Sequence, residues 1–387
     1  MLKIAVEIIF LISAISILCV FFLNRLLVRA VYYLKGKKKL NISPVSPAIS
    51  LITIVRDGDD IIRKKIENSL SLDYPSNDYE IIIFSDGPFR SVEGGVKGIN
   101  HPRIILKSSE QHQGKNSALN EAVRIALGEV IVFSDADAML GKDAIMNLAK
   151  YFSDESIGGV CGRIIIIDDK ADLSRAQKTY YSFDSDIKKY ESEIGSVTSN
   201  YGVISAVRKR LIQPIPLTVT DDLFIAMSVV EQGFRFVFES GAIAFMKAPS
   251  RKPRDEISRR RRIVVRSLSG IMIKRKVLNP YHYGLFSINL LLNKVLRRLL
   301  PIFLAALFSS NLFLLFSYPG LLYVLLAQIL FYLSAVLYYI LSEVFRKKIF
   351  ANSFLETIFY FCMGNIGTFM GLIDFLKGKR VVKWGTA

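Results

Sequence analysis

The chain has 387 residues, 51% of them hydrophobic and 22% charged, with a mean hydropathy of +0.34. That much apolar material excludes a disordered chain, and its concentration in a few runs excludes an ordinary soluble enzyme. Lys and Arg number 51 against 34 Asp and Glu, a net charge of +17, which points to a polyanionic partner: nucleic acid, anionic headgroups or a phosphate-bearing substrate.

Ile4 to Leu23 is an apolar run of 20 residues interrupted by Glu7, two serines and small residues. As a helix it is about 30 Å long, the thickness of the hydrocarbon core. A cleaved leader carries its positive charge before the run, whereas Arg25, Arg29, Lys35, Lys37, Lys38 and Lys39 follow it here. The sequence therefore predicts a retained anchor over 1–34, with its C-terminal end in the cytosol by the positive-inside rule. No comparable run occurs over 35–273, where a cytosolic domain is expected.

Within that domain strand-like runs alternate with helical patterns. Strands are expected at Ile49–Val55, Glu80–Phe84, Ile104–Leu106 and Val130–Phe133, and helices at Ile61–Leu70 and Lys115–Leu127. Such alternation reads as a mostly parallel sheet covered by helices, with ligands at the C-terminal strand ends. Acidic residues stand at two of those ends, in Phe84-Ser85-Asp86 and in Phe133-Ser134-Asp135-Ala136-Asp137. An Asp-x-Asp leaving a strand turns two hard oxygen donors toward one divalent cation, and Mg²⁺ or Mn²⁺ keeps substrate phosphates in its shell.

Leu285 to Arg298 places Asn289, Asn293, Lys294, Arg297 and Arg298 on one helical face and leucines opposite. Residues 274–298 therefore read as an amphipathic segment in the membrane interface. Leu299–Phe316 and Leu321–Leu341 read as spans around a Ser317-Tyr318-Pro319-Gly320 turn, and Phe354–Leu372, with Asn365 and three glycines, as another, giving a C-terminal membrane region over 299–376. Four spans starting outside leave the tail 377–387 outside, although it carries Lys377, Lys379, Arg380 and Lys383. A re-entrant last segment or an exceptional tail resolves the conflict with the positive-inside rule. Cys19, Cys161 and Cys362 suggest no disulfide scaffold.

Taken in order, Asp73-Tyr74-Pro75, Ser85-Asp86-Gly87, Gly114-Lys115-Asn116-Ser117-Ala118-Leu119-Asn120 and Ser134-Asp135-Ala136-Asp137 resemble the nucleotide-sugar half of a family 2 glycosyltransferase. Thr220-Asp221-Asp222, followed by Gly233-Phe234-Arg235, is similar to that family's Thr-Glu-Asp catalytic segment, and Arg259 to Arg262 falls where the family often has Gln-x-x-Arg-Trp. The flanking apolar segments resemble those of membrane-embedded polysaccharide synthases and lipid glycosyltransferases. The resemblance implies an α/β GT-A nucleotide-sugar-binding domain, a mostly parallel sheet with helices on both faces, joined to α-helical transmembrane segments.

Carried over residue by residue, it implies that Asp86 meets the nucleobase, with Arg56 and Asp57 as the pocket's other wall, and that Lys115 reaches the nucleotide. It further implies that Asp135 and Asp137 orient the ribose and hold Mn²⁺ or Mg²⁺ on the diphosphate. Asp222 matches the general base, Asp221 stands where the family has Glu, and Arg262 faces the diphosphate. Arg259 replaces the family's glutamine and Ile263 its tryptophan, and Val55-Arg56-Asp57-Gly58 stands where an Asn-Glu pair is usual.

The reaction so implied is inverting transfer from a nucleotide-diphosphate sugar, UDP-linked by resemblance, to a hydroxyl of a growing polysaccharide. Cation and arginine relieve the leaving diphosphate of charge, and one carboxylate takes the nucleophile's proton. Single-sugar transfer to a membrane lipid is the alternative: four or fewer spans are few for one chain to enclose a polysaccharide channel, which argues for a lipid acceptor or a homo-oligomer. A regulator that binds nucleotide sugar without catalysis is the alternative from another class. Nucleic acid is not expected as a partner, because contact with membrane lipids accounts for the charge. Several of these residues also have plainer readings. Asp221-Asp222 can cap a helix, Arg259–Arg262 can face headgroups, and Lys115 can simply be exposed. Asp168-Asp169 and Asp184/Asp186 read as turn or helix-surface residues, and Tyr180-Tyr181 and Trp384 as interface packing.

Overall fold

Strand β1, Ile49–Val55, is buried along its whole length, and its run is apolar apart from Ser50 and Thr53. In this computed structural model, which describes residues 1–387 apart from 57, 89–91, 168–173, 199, 248–251, 345–352 and 383–387, it lies inside an eight-stranded sheet. The further strands are β2 Tyr79–Ser85, β3 Ile104–Ser108, β4 Val130–Phe133, β5 Met139–Leu140, β6 Ile157–Ile166, β7 Ser205–Arg208 and β8 Arg235–Met246. Their order is β3-β2-β1-β4-β7-β6-β8-β5. The pairs β1–β2, β1–β4, β2–β3 and β6–β8 are parallel, while β7 and β5 pair antiparallel with their neighbours. Strand order reverses between β1 and β4, where an α/β sheet opens its ligand crevice.

The sheet has helices on both faces because alternate strand residues point opposite ways. Leu51, Ile81 and Ile83 pack with Ile62 and Ile66 of α2, Asp59–Leu70. Ile52, Ile54 and Ile82 pack with Ala118 and Leu119 of α3, Lys115–Ile125. The four strands and two helices expected from sequence are all present, with ends shifted by at most two residues. Beyond β4 come α4 Ala144–Ala149, α5 Ser174–Ile194, α6 Asp221–Glu231 and α7 Pro253–Ile273.

Three helices among the described residues are long and apolar enough to cross a membrane, at Leu2–Lys35, Leu321–Ser342 and Phe354–Leu376. We call the first α1. The short α8, Leu285–Leu290, runs through a π-turn into α9, Arg297–Leu314, which contains Pro301; α10 is Leu321–Tyr339 and α11 Ser353–Leu376. Of the polar face expected to lie against headgroups over 285–298, Arg297 is exposed while other members are held by the protein. Asn289 is buried, Asn293 donates to Glu191 and Thr198 at 3.2 Å, and Arg298 donates to the Ser267 hydroxyl at 2.8 Å.

Helix α11 packs along α7. A Cβ on Gly367 would stand 2.7 Å from the Ile257 carbonyl oxygen, and one on Gly371 2.7 Å from that of Arg261, so two of its three glycines permit close contact. Asp374 of α11 pairs with Arg261 and, at 2.8 Å, with Lys379 of the tail. The Val382 carbonyl oxygen reaches within 3.0 Å of where a Cβ on Gly114 would sit. The described part of the basic tail therefore lies against the sheet domain. Lys383 and Trp384 lie outside the described residues.

Candidate active site

The crevice is built by the segments that leave β2 and β4 and by the starts of α3 and α6. Asp86, one residue past β2, is buried, and its carboxylate accepts from the backbone N–H groups of Gln113 (2.9 Å) and Gly114 (3.0 and 3.1 Å). The same carboxylate stands 2.7 Å from His112 Nδ1. Gly114 has φ +104°, a conformation that L side chains rarely adopt. Asp86 thus shapes the loop that delivers Lys115, whatever else it meets.

Lys115 opens α3, and its Nζ lies 2.8 Å from Asp135 Oδ1 and 2.9 Å from Asp221 Oδ2. One ammonium therefore joins Asp135, two residues past β4, to the first residue of α6. Burial opposes its charge, but Asp135 and Asp221 outweigh burial and raise its pKa. Lys115 is engaged inside the crevice rather than simply exposed.

The asparagines of the same motif hold the loop before α6. Asn116 Nδ2 donates to the carbonyls of Pro216 (2.7 Å) and Val219 (2.9 Å), while Asn120 donates to the Ile215 carbonyl (2.9 Å) and accepts from its N–H (2.8 Å). Positions i and i+4 share one helix face, which is why this spacing can clamp one loop.

Asp221 and Asp222 begin α6 and behave oppositely. Burial pushes the Asp221 carboxyl up, but Lys115 and then Arg266 pull it down, for a net lowering. Burial and the adjacent Asp221 charge push Asp222 up to about 6, even though the Leu223 N–H donates to Asp222 Oδ1 at 2.6 Å. The helix-start reading and the base reading hold together, since the helix fixes the carboxylate.

Asp137 stands exposed at the crevice mouth. Its enclosure by the walls and then the Asp135 carboxylate hold its pKa above the ordinary value. Two crowded carboxylates with hard oxygen donors fit a cation that brings phosphate oxygens with it. Among the described residues no group of three His, Cys, Asp or Glu is placed to hold a metal ion.

Of the other residues expected here, Arg56 directly follows β1, and Asp57 lies outside the described residues, as do Asp168 and Asp169. On α7, Arg259 donates twice to Glu256 at 2.8 Å, so it is held by its own helix. Arg262 lies near Arg259 and Arg266; burial first, then these two like charges, lower its pKa. Asp184, expected on a helix surface, instead lies 3.1 Å from Lys188 Nζ and accepts from the Tyr201 hydroxyl.

Sequence reasoning missed two cations. Arg266 donates through Nε and Nη2 to the Val219 carbonyl at 2.9 and 2.6 Å, and its neighbouring charges are Asp221 and Asp222. Lys65 of α2 is fully buried, and its Nζ donates at 2.6 Å to the Ser134 hydroxyl and to the Ala138 carbonyl, bracketing Asp135–Asp137. Burial pushes its pKa down to about 7 against the pull of Asp135 and Asp137. A lysine within an amphipathic helix gives no linear signal of this role.

The family model for "Glycosyl transferase family 2" matches residues 50–215, a stretch that ends before α6. A beta-monoglucosyldiacylglycerol synthase of Nostoc sp. is 25% identical over 186 residues, 46% of this chain and 40% of its own length. A poly-beta-1,6-N-acetyl-D-glucosamine synthase of Staphylococcus aureus is 24% identical over 225 residues, 56% of this chain and 54% of its own length. The chain thus spans about half the length of the curated relatives it matches. A mannosyltransferase from Pyrobaculum calidifontis, solved in complex with GDP-Man and Mn²⁺, has a TM-score of 0.69 at 19% identity, covering 96% of this chain and 100% of that one. The likeness shows that the two share a fold.

Proposed function

We propose that this chain, which carries a glycosyl transferase family 2 domain over residues 50–215, moves a sugar from a nucleotide-diphosphate donor to a hydroxyl acceptor at a membrane, with inversion. The observation that carries the reading is the junction of Asp135, Lys115 and Asp221, with Asp222 beside it at a pKa of about 6. A carboxyl near that value is ionised at neutral pH yet basic enough to accept a proton, which suits a general base. Asp222 takes the acceptor proton; Lys115 and Arg262 offer positive charge to the departing diphosphate; Asp86 and Arg56 line the base end. Arg259 steadies the arginine-rich face of α7.

Asp137, with Asp135, would hold a divalent cation, Mn²⁺ or Mg²⁺. When bound, it supplies positive charge to the leaving diphosphate. The two relatives' names carry both kinds of acceptor, a diacylglycerol lipid and a poly-N-acetylglucosamine chain. The catalytic domain faces the cytosol in this reading, because basic residues follow α1 and crowd the tail that lies on the domain.

The test is a panel of nucleotide sugars offered to the full chain in neutral-lipid nanodiscs with Mn²⁺ or Mg²⁺, following release of free nucleoside diphosphate. Turnover that needs the metal and vanishes in Asp222→Asn, while nucleotide still binds, is the expected result. Asp137→Ala should weaken metal-dependent nucleotide binding at least tenfold. Nucleotide-sugar binding without turnover of any donor would instead identify a non-catalytic regulator.

A further inference from the structure

One face of α5 carries charge into the interior. Asp184, Lys188 and Glu191 follow one another at spacings of four and three, on a single side of the helix, and Lys188 and Glu191 are each only 1% exposed. Lys188 Nζ lies 3.1 Å from Asp184 Oδ2 and 3.0 Å from the centre of the Tyr201 ring, and the Tyr201 hydroxyl donates to the same carboxylate. At the other end of this face Glu191 accepts from the N–H and the hydroxyl of Thr198, both at 2.9 Å. The two carboxylates therefore grip one stretch of chain twice, at Thr198 and at Tyr201.

Stability alone does not account for such a face. Charges taken out of water carry a desolvation penalty that pairing offsets only in part, and apolar side chains of similar volume commonly hold a core as well or better. Burial pushes the Glu191 carboxyl up to about 7 although the Thr198 hydrogen bonds oppose it. What leucines in these positions would not supply is direction: a hydroxyl held by a carboxylate is fixed in place, whereas apolar contacts slide.

The stretch so held passes the start of α6. Asn200 is buried and donates through Nδ2 to the Asp222 carbonyl at 3.4 Å. A Cβ on Gly202 would stand 3.5 Å from both Asp221 Oδ2 and Lys115 Nζ, and 3.9 Å from the Asp222 Cβ. Gly202 also lines the small cavity between Lys115, Asp135 and Asp221. The residues on either side of Tyr201 thus wall the crevice at Asp222, and the charged face of α5 stands behind them. Burial is the first cause that lifts Asp222 above an ordinary carboxyl, and this wall is part of what buries it.

We propose that Asn200, Tyr201 and Gly202 form a wall that keeps bulk water from Asp222, and that Asp184, Lys188 and Glu191 are the positioning residues that hold it there. This deepens the transfer reading and rests on it for the role of Asp222. With the wall in place, the proton that reaches Asp222 comes from the acceptor hydroxyl, and the acceptor oxygen bonds the anomeric carbon. With the wall slack, water competes for both positions. It gives a proton to Asp222 and its oxygen to the anomeric carbon, the bond from that carbon to the donor phosphate breaks, and the electron pair leaves with the nucleoside diphosphate. The mark of a slack wall is therefore free sugar formed at the expense of transfer.

Two measurements on the full chain test the proposal. Tyr201→Phe removes the hydroxyl that Asp184 accepts from, and Thr198→Val the one that Glu191 accepts from. Tyr79→Phe, which removes a buried hydroxyl at the far end of β2, is the control. The first measurement needs no substrate: Asp222→Asn is added to each chain in detergent, and the apparent Tm is read at pH 8. The charges that face Asp222, those of Asp221, Lys115, Lys294, Arg298 and Arg266, are the same throughout, so a changed increment reports the wall. The gain from Asp222→Asn should fall to less than half its parental size in Tyr201→Phe and in Thr198→Val, and stay whole in Tyr79→Phe. An undiminished gain in both wall variants, an equal loss in the control, or no gain in the parent overturns the proposal; where one wall variant fails to fold, the other decides. The second follows radiolabelled donor, chosen as the nucleotide sugar that turns over in the nanodisc panel. Both wall variants should lose at least fivefold in transfer with donor KM within twofold, and the share of label released as free sugar should at least double. Unchanged transfer and free-sugar share overturn the proposal and leave the transfer reading intact. Absence of turnover with every donor defeats the transfer reading and, whatever the melts show, the catalytic role of the wall.

Discussion

Asp222→Asn should stabilise the chain while removing its chemistry, and the two effects have different pH dependences. Burial, and then the Asp221 charge, lift the Asp222 carboxyl from an ordinary 3.8 to about 6. A shift of that size corresponds to about 3 kcal/mol between the two protonation states. The side chain is only partly enclosed and its titration is shared with Asp221, so about 1–2 kcal/mol is the figure to expect. Because the folded form holds the proton more tightly than the unfolded form, ionised Asp222 subtracts from stability. That loss is absent below about pH 4, grows as pH rises, and is complete above about pH 6. Asparagine keeps the shape without the charge. Its apparent Tm should therefore exceed the parent's by about 2–6 °C at pH 8 and converge with it toward pH 4. Transfer should fall by about 10²- to 10⁴-fold, and in the parent kcat should drop about tenfold per pH unit below pH 6. Thermal-shift melts and nucleoside diphosphate release, run from pH 4.5 to 8, read both effects. A lower Tm for the variant at pH 8, or transfer that survives, refutes the reasoning.

Other substitutions test how the site is held. Lys65→Met leaves the Ala138 carbonyl without its donor and loosens the turn carrying Asp135 and Asp137. Mn²⁺ titration should show at least tenfold weaker binding with far-UV circular dichroism unchanged, and unaltered affinity would count against a positioning role. Asn120→Ala strips both partners from Ile215 at a cost of about 1–3 kcal/mol, so the apparent Tm should fall by about 2–8 °C. Gly371→Val sets a side chain against the Arg261 carbonyl and Val264, whereas Gly364 has nothing within 4 Å. Size-exclusion profiles should show loss of folded protein for the first and tolerance of Gly364→Val; the reverse order would disprove the α7–α11 contact.

Much of this was present in the linear sequence, because strands buried on both faces are largely apolar. Ile49–Val55 and Val130–Phe133 are bounded as their runs predict, and the acidic residues after β2 and β4 fall at the crevice for the same reason. Short motifs marked Lys115, Asp135, Asp137 and Asp222 as candidates, but not that Lys115 joins Asp135 to Asp221, because these residues lie far apart in sequence. The roles of Asn116 and Asn120 were not legible, since the carbonyls they hold lie about a hundred residues away.

Tertiary structure alone decided which charges are compensated. Arg259 to Arg262 look alike in sequence, yet Glu256 holds two of them, Asp374 a third, and Arg262 faces other arginines. The polar stripe from Asn289 to Arg298 satisfies a headgroup-facing pattern as well as an inward one, because helical periodicity specifies a face and not what covers it. The sequence by itself determined four of the eight strands, the apolar helices and the acidic strand ends. Packing determined where the tail lies and which lysine braces the Asp-x-Asp turn, since each depends on long-range contacts that no local pattern encodes.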